Sequence, residues 1–453
     1  MDSRPKISWA ELAGTNVGIW GLGVEGKASV RRARRQGASV VVVDDHPMPP
    51  LDGIPVVRTS EGGLEALARC DVVIKTPGIS RYRPEVAALT ARGVPVVGAL
   101  GLWLEGQALD RVIAVTGTKG KSTTASIIGH LLNRTGHRCQ VAGNIGVPPY
   151  DPDVQEHPDF WVVEVSSFQA TDLASSPPVT VVTSLSPDHL DWHGDVETYY
   201  RDKLSMCRQP GADLTVANGD STELRARRDQ LGPRVEWVSA QRTSERLADE
   251  WSEPLGLVGA HNRRNARIAR AVLRALGIPA ATDDAMLAEA CRGFVGLESR
   301  LEFVGRVGGV DFVNDSLSTN VLSALAALDA FADRPVALIV GGMDRGIDYG
   351  ELGHAIAQRR EPTLVVTLPD SGKRVHAAIT DHAGAAEVID CSGMAEAVNE
   401  AFAWSRPGGA VVLSPAAPSF GRFRDYRERA RAFAEAMAEC ARSLRSRAAE
   451  PLD

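Results

Sequence analysis

Short runs of β-branched residues alternate along the chain with longer stretches in which Ala, Leu and Arg recur at helical spacing. That alternation predicts parallel strands joined by crossover helices, an α/β fold. Three blocks emerge. In the first, 1–107, the strand NVGIWG precedes a helix from about Gly26. The strands ASVVVVDD and DVVIKTPG follow, and GLWLEGQALD reads as the connection out. The second, 108–297, opens with RVIAVTG, continues through FWVVEV and VTVVTSLS, and ends on GAHNRRNARIARAVLRALG and the helix after it. The third, 298–453, carries the strands VDFVND, VALIVGG, TLVVTL, AEVID and AVVLSP; its tail, CARSLRSRAAEPLD, is predicted to be loosely ordered.

A length of 453 residues allows several domains, each with its own core. The net charge of −7 provides no basic field for nucleic acid or an anionic membrane, so neither partner is expected. No run of 18 apolar residues is present, and the first residues lack an apolar signal core. Six scattered cysteines without a CxxC pair suit a reducing compartment, so a cytoplasmic protein is expected.

The chemistry concentrates first in TGTKGKST. A strand hands over to a helix whose exposed N–H groups and positive dipole end favour phosphate oxygens. Gly117 and Gly120 let the backbone curl, and Thr118 and Lys119 lie between them. Lys121 is placed to reach the β/γ-phosphates of ATP, and Ser122 or Thr123 to ligate Mg²⁺. The strict Walker spacing would need glycine at 115, where this chain has Val115. Two further strands should end on the same edge, one at Glu164 and the other in SLSPDHLDWHG with Asp188, His189, Asp191 and His193. A carboxylate and an imidazole beside triphosphate oxygens suit Mg²⁺. Lys203, on the helix DVETYYRDKLSM, reads on its own as a solvated residue. Asn262 and Asn265 fit either helix capping or a nucleotide contact.

In the first block, Gly21, Leu22, Gly23 and Gly26 form a G-x-G-x-x-G turn after a strand, with Asp44 and Asp45 closing the next one. That is a pyrophosphate-binding pattern. In the third block Asp315, Thr319, Arg345 and Ser419 fall at carboxyl strand ends, and Arg345 or Arg422 suits a substrate carboxylate.

The ordered set GxGxxG, TPGI, TGTKGKST, GNIG, EVSSFQ, SPDHLDWHG, HNxxN, NDSxxTN, GGxDRG and SPAAPSF resembles the Mur ligases, most closely their glutamate-adding branch. The resemblance covers essentially the whole chain. It implies three domains: a Rossmann-like UDP-binding N-terminal domain, a central P-loop ATPase domain and a Rossmann-like C-terminal domain that brings in the amino acid. It also implies an ATP-dependent amide ligase of peptidoglycan precursor synthesis, joining glutamate to UDP-N-acetylmuramoyl-L-alanine through an acyl phosphate.

By the same resemblance, Gly117 to Thr123, Asn265, Arg300 and Asp315 contact ATP. Lys121, His189 and Lys203 are catalytic. Ser122, Glu164, His189 and a carbamylated Lys203 serve two Mg²⁺ ions. Gly21, Leu22, Gly23, Asp45, Thr76 and Gly78 form the UDP pocket, and Asn144 meets the muramoyl group. Thr319, Arg345, Ser419 and Tyr426 belong to the amino-acid pocket. A monomer without NAD is expected. The departures gather in the amino-acid pocket, where Leu317 replaces a lysine, Arg345 stands where a lysine is common, Pro418 and Gly421 alter the last motif, and Ser299 replaces a histidine. D- and L-glutamate therefore both remain open. A folate-type polyglutamate ligase and a non-catalytic nucleotide switch are the alternatives.

Overall fold

A computed structural model describes residues 4–154, 157–239, 247–257, 259–383 and 386–449. The chain divides into two compact units, Met1–Leu255 with Arg264–Phe294, and Gly256–Arg263 with Val295–Asp453.

The first unit contains two sheets. One is built from β1 (Asn16–Trp20), β2 (Ser39–Asp44), β3 (Val56–Arg58), β4 (Val72–Lys75) and β5 (Val96–Gly98), in the order β3-β2-β1-β4-β5. The other is built from β6 (Val112–Thr116), β7 (Cys139–Gly143), β8 (Phe160–Glu164), β9 (Val179–Val182), β10 (Leu214–Asn218) and β11 (Arg234–Val238), in the order β11-β10-β9-β6-β8-β7. Every pairing in both is parallel. β6 and β8 are buried along their whole length, as strands covered on both faces by helices must be. The strand order reverses at β1 and again at β6. Each of these strands runs into one of the two glycine-rich turns, so both turns open at a switch point where α/β sheets leave a crevice. Trp9, Val72, Trp103, Val112 and Trp161 belong to one apolar cluster shared by the two sheets.

The second unit holds β12 (Glu302–Val307), β13 (Val310–Asn314), β14 (Val336–Val340), β15 (Thr363–Thr367), β16 (Glu387–Asp390) and β17 (Ala410–Leu413), ordered β12-β13-β17-β14-β15-β16. Here the expectation of a wholly parallel sheet needs correcting: β12 pairs antiparallel with β13. The two glycines between them, Gly308 and Gly309, both take positive φ and close a hairpin. The tail also departs from expectation, since a helix runs from Tyr426 to Ala449 with Phe433 and Cys440 buried. Residues 450–453 lie outside the described residues. Six strands went unpredicted. β3 and β5 have only three residues each, too short to register as a period.

Candidate active site

β6 ends at Thr116, and the loop 117–120 leads into the helix Lys121–Arg134. Gly117 has φ +140°, and a Cβ there would lie 2.1 Å from Thr183 Oγ1. Glycine is therefore required for space as well as for conformation. The loop is bracketed from the end of β9. Thr183 Oγ1 donates to the Lys119 carbonyl at 2.6 Å, and Lys119 N–H donates to Ser184 Oγ at 2.7 Å. Thr118 Oγ1 lies 3.0 Å from the Tyr199 hydroxyl, a contact with no sequence signal.

Two lysines converge on one carbonyl. Lys121 Nζ and Lys203 Nζ each donate to Gly117 O at 3.0 Å. Lys203 is 2% exposed, so its reading as a solvated helix residue is wrong: the helix Val196–Leu204 turns that face inward. Burial, and then the neighbouring Lys121 charge, drive the Lys203 amine well below the ordinary lysine range, with Asp188 and Glu164 opposing. A neutral amine is the form that adds carbon dioxide.

Glu164 closes β8 and is 1% exposed. Its Oε1 accepts from Asn144 Nδ2 at 2.6 Å. Its Oε2 is buried without a hydrogen-bond partner. A buried carboxylate oxygen left without a donor is costly unless a cation meets it. His189 sits in the left-handed region, φ 52°, with its ring edge-on to Phe168 at 5.0 Å. Burial lowers its pKa, Lys203, Lys119 and Lys121 add to this, and Asp188 opposes. A lowered pKa favours the neutral imidazole, the form that ligates a metal. Among the described residues no trio of His, Cys, Asp and Glu is placed to hold a metal. Glu164 and His189 would need further oxygens, from Ser122, a phosphate or a carbamate. The residues present fit such an ion through the unsatisfied Glu164 oxygen.

Other predicted positions turn out differently. His193 is fully buried against Asp202 and Ser167, a structural role. Asp188 sits 3.7 Å from Lys119 Nζ. Asn265 packs beside the loop, its Oδ1 3.0 Å from where a Gly120 Cβ would stand. It lies in the second turn of the helix Ala260–Ala275, so capping is excluded for it. Asn262 belongs to the second unit's residues.

At the first glycine turn, a Gly21 Cβ would fall 2.1 Å from Thr76 Oγ1. Asp44, rather than Asp45, holds the turn, accepting from Leu22 N–H at 2.7 Å. Asp45 instead pairs with Arg83 at 2.5 Å and accepts from Thr59. Burial would raise its pKa, but these donors outweigh that and lower it. Gly23 caps the helix Val24–Arg35, and Gly78 is exposed. Glu25, on the first turn, accepts from the Tyr150 hydroxyl and from Gln169 Nε2, both at 2.8 Å. Its pKa is raised by burial.

In the second unit, Asp315 accepts from Ser414 Oγ at 2.8 Å. Arg300 lies on the short segment ahead of β12. Thr319 and Arg345 are exposed, Leu317 and Tyr426 half-buried and Ser419 buried. The buried Arg429 donates to Ser316 O, Ser316 Oγ and Ala417 O, and burial lowers its pKa to about 10. It ties two of the motif loops together, and its motif was not singled out in the sequence.

Comparison with known proteins covers most of the chain. Residues 15–98 match the Mur ligase MurD-like N-terminal domain, 115–273 the Mur ligase middle domain, and 299–417 the Mur ligase glutamate ligase domain. A UDP-N-acetylmuramoyl-L-alanine--L-glutamate ligase from Micromonospora is 40% identical across 95% of this chain and 98% of that protein. Proteins of the same name from Salinispora tropica and Xanthomonas euvesicatoria are 40% and 36% identical, over 95% and 94% of the chain and 99% and 96% of theirs. Among solved structures, a MurF ligase from Thermotoga maritima in complex with ADP aligns over 96% of this chain and 98% of its own, with a TM-score of 0.58 and 16% identity. The UDP-N-acetylmuramate-alanine ligase MurC from the same organism aligns over 94% and 99%, with a TM-score of 0.56 and 20% identity. At such identities both speak to the fold alone.

Proposed function

The chain belongs to the Mur ligase family, and from that premise we propose its substrates and the work of its residues. As a family member it is an ATP-dependent, ADP-forming amide ligase of peptidoglycan precursor synthesis, working with ATP and Mg²⁺. The acceptor acid is UDP-N-acetylmuramoyl-L-alanine and the incoming amine that of L-glutamate. The names of the Micromonospora, Salinispora and Xanthomonas relatives support both assignments, and the altered amino-acid pocket agrees with a change of isomer.

The convergence of Lys121 and Lys203 on Gly117 O carries the reading of the ATP site. It concentrates cationic and carbamate-forming groups at the mouth of a loop shaped for phosphate. A free carboxylate is a poor electrophile. Its oxygen attacks the γ-phosphorus of ATP, the bond to the bridging oxygen breaks, and ADP leaves. The amine then attacks the acyl carbon, a proton is lost, and phosphate departs from the tetrahedral intermediate. Lys121 and the loop N–H groups neutralise charge on the migrating phosphoryl group. Glu164, His189, Ser122 and a carbamate on Lys203 would hold two Mg²⁺ ions, whose charge further stabilises phosphate oxygens. Asn265, beside the loop, serves the nucleotide. Gly21 to Gly23, Asp45, Thr76 and Gly78 serve UDP, and Asn144 serves the muramoyl group. Thr319, Arg345, Ser419 and Tyr426 serve glutamate. The protein acts as a cytoplasmic monomer. Among the described residues no helix is long and apolar enough to cross a membrane.

Purified protein with ATP, Mg²⁺ and UDP-N-acetylmuramoyl-L-alanine, given L- or D-glutamate in parallel, tests the assignment by product mass. Amide product with L-glutamate alone is expected. Product with only the D isomer overturns the stereochemistry, and none with either overturns the substrates.

A further inference from the structure

Each residue proposed above to hold Mg²⁺ on β8, on the turn after β9 and on the following helix has a near neighbour in one polar chain. Asp202 is adjacent to Lys203, His193 lies four residues past His189, and Ser167 three past Glu164. The Asp202 carboxylate, 7% exposed, accepts from the Tyr82 hydroxyl with both oxygens, at 2.7 and 2.8 Å. Its Oδ2 also accepts from His193 Nδ1 at 2.8 Å, and Arg201 stands 3.9 Å from its Oδ1. The other ring nitrogen meets Ser167 Oγ at 3.0 Å.

The fourth member, Tyr82, comes from the first sheet, on the loop that leaves β4 through Thr76-Pro77-Gly78. That loop grips the His189 turn a second time. Trp192 Nε1 donates to Pro77 O at 3.0 Å, and Ser80 Oγ donates to Trp192 O at 3.3 Å. The Tyr82 ring stands edge-on to Trp192 at 6.0 Å, and Trp192 stacks on Phe168 at 4.6 Å.

We propose that the Tyr82–Asp202–His193–Ser167 chain is a positioning frame that sets Lys203, His189 and Glu164 relative to one another, and that Tyr82 couples it to occupancy of the sugar-nucleotide loop. This rests on the site assignment above. Three separately coded segments must meet at one metal centre. Asp202, His193 and Ser167 are buried, and around a charged acceptor such a set allows few alternative arrangements, because a shift strands a polar group; Tyr82 meets it from a half-exposed position. Sugar nucleotide settling on the Thr76 loop fixes Tyr82, and Tyr82 fixes the carboxylate beside Lys203.

The test is calorimetric titration of the full-length protein with Mg²⁺ and adenylyl-imidodiphosphate, with and without saturating UDP-N-acetylmuramoyl-L-alanine. In the unmodified protein the sugar nucleotide is expected to tighten analogue binding at least about fivefold, the lower range of measured couplings. Tyr82→Phe keeps the ring, loses the hydroxyl and sits at a half-exposed position. It is expected to reduce the coupling to under about twofold with analogue affinity of the substrate-free protein unchanged. Retained coupling in Tyr82→Phe overturns the proposal. So does equal loosening with and without sugar nucleotide, the signature of a merely structural role. Sugar-nucleotide binding without coupling in the unmodified protein overturns the proposal alone, whereas no binding overturns the substrate assignment as well. If Tyr82→Phe does not fold, Tyr82→Leu, which also removes the hydroxyl at this half-exposed position, is measured against the same criteria.

Discussion

Replacing Glu164 with glutamine tests the metal assignment most directly. The side chain keeps its shape and loses its charge. Its Oε1 position can still accept from Asn144 Nδ2, now 2.6 Å away. The amide nitrogen then falls where Oε2 stands, a buried position with no hydrogen-bond partner. Stranding that donor costs about 1–3 kcal/mol, offset by removing a buried charge that lacks a donor on one oxygen. The net change in melting temperature should therefore be a few degrees in either direction. Activity should respond far more. Unit charges about 4 Å apart interact by about 4 kcal/mol at an effective dielectric near 20. Withdrawing the carboxylate from a divalent ion should lower turnover on the order of 10²–10³-fold, the scale seen when a preorganised charge-stabilising group is deleted. It should also raise the Mg²⁺ concentration needed for half-maximal rate. Phosphate release measured against Mg²⁺, with circular dichroism as the folding control, reads both effects. A folded Glu164→Gln protein within about threefold of normal turnover at limiting Mg²⁺ would refute the reasoning, since that is too small for a lost ligand.

Gly117→Ala should abolish phosphate release and lower the melting temperature, because its Cβ would stand 2.1 Å from Thr183 Oγ1 at a φ of +140°; a soluble, fully active variant would contradict the close packing of the loop. Lys203→Ala should lose most activity and recover part of it with a short-chain carboxylate in the buffer. In the unmodified protein, ¹³C-labelled carbon dioxide should produce a carbamate resonance that this substitution removes, and full activity without rescue would dismiss the carbamate. Glu25→Gln should change how stability depends on pH. The folded pKa of Glu25 lies above its unfolded value, so the stability this group confers is fully present below about pH 4.5 and lost as pH rises through the folded pKa. The melting temperature of Glu25→Gln relative to the unmodified protein should thus be more favourable at pH 8 than at pH 5, and calorimetry showing the reverse would exclude the buried, proton-retaining carboxyl.

The long fully buried strands and both glycine turns were legible because their signals are local: a run of β-branched residues, then glycines at fixed offsets. β10 and β11 carried a weaker signal, since LTVAN holds a Thr-Val pair and RVEWV sets β-branched and aromatic residues among charged ones. The antiparallel β12 carried one too, since two residues are too few for a crossover and Gly308-Gly309 between two strand-like runs is a hairpin signal. Spacing alone reads Lys203 as solvated, and only the family resemblance marks it for the site, because helical spacing does not say which face is covered. Its burial comes from β6 and the loop after it, far away in the chain. Asp44 and Asp45 are neighbours with the same chemistry, and only the path of the chain after β2 turns one to the glycine loop and the other to Arg83.

The α/β class, the phosphate loop and the family can be read from the residues alone, because each is written in residues close together or in ordered motifs. That two lysines share Gly117 O, that one oxygen of Glu164 stands without a donor, and that Tyr82 reaches Asp202 emerge only once the chain is folded. These facts depend on segments up to 120 residues apart being brought within hydrogen-bond reach. Local propensity carries no information about such distances; packing of the two sheets of the first unit around their common core sets them.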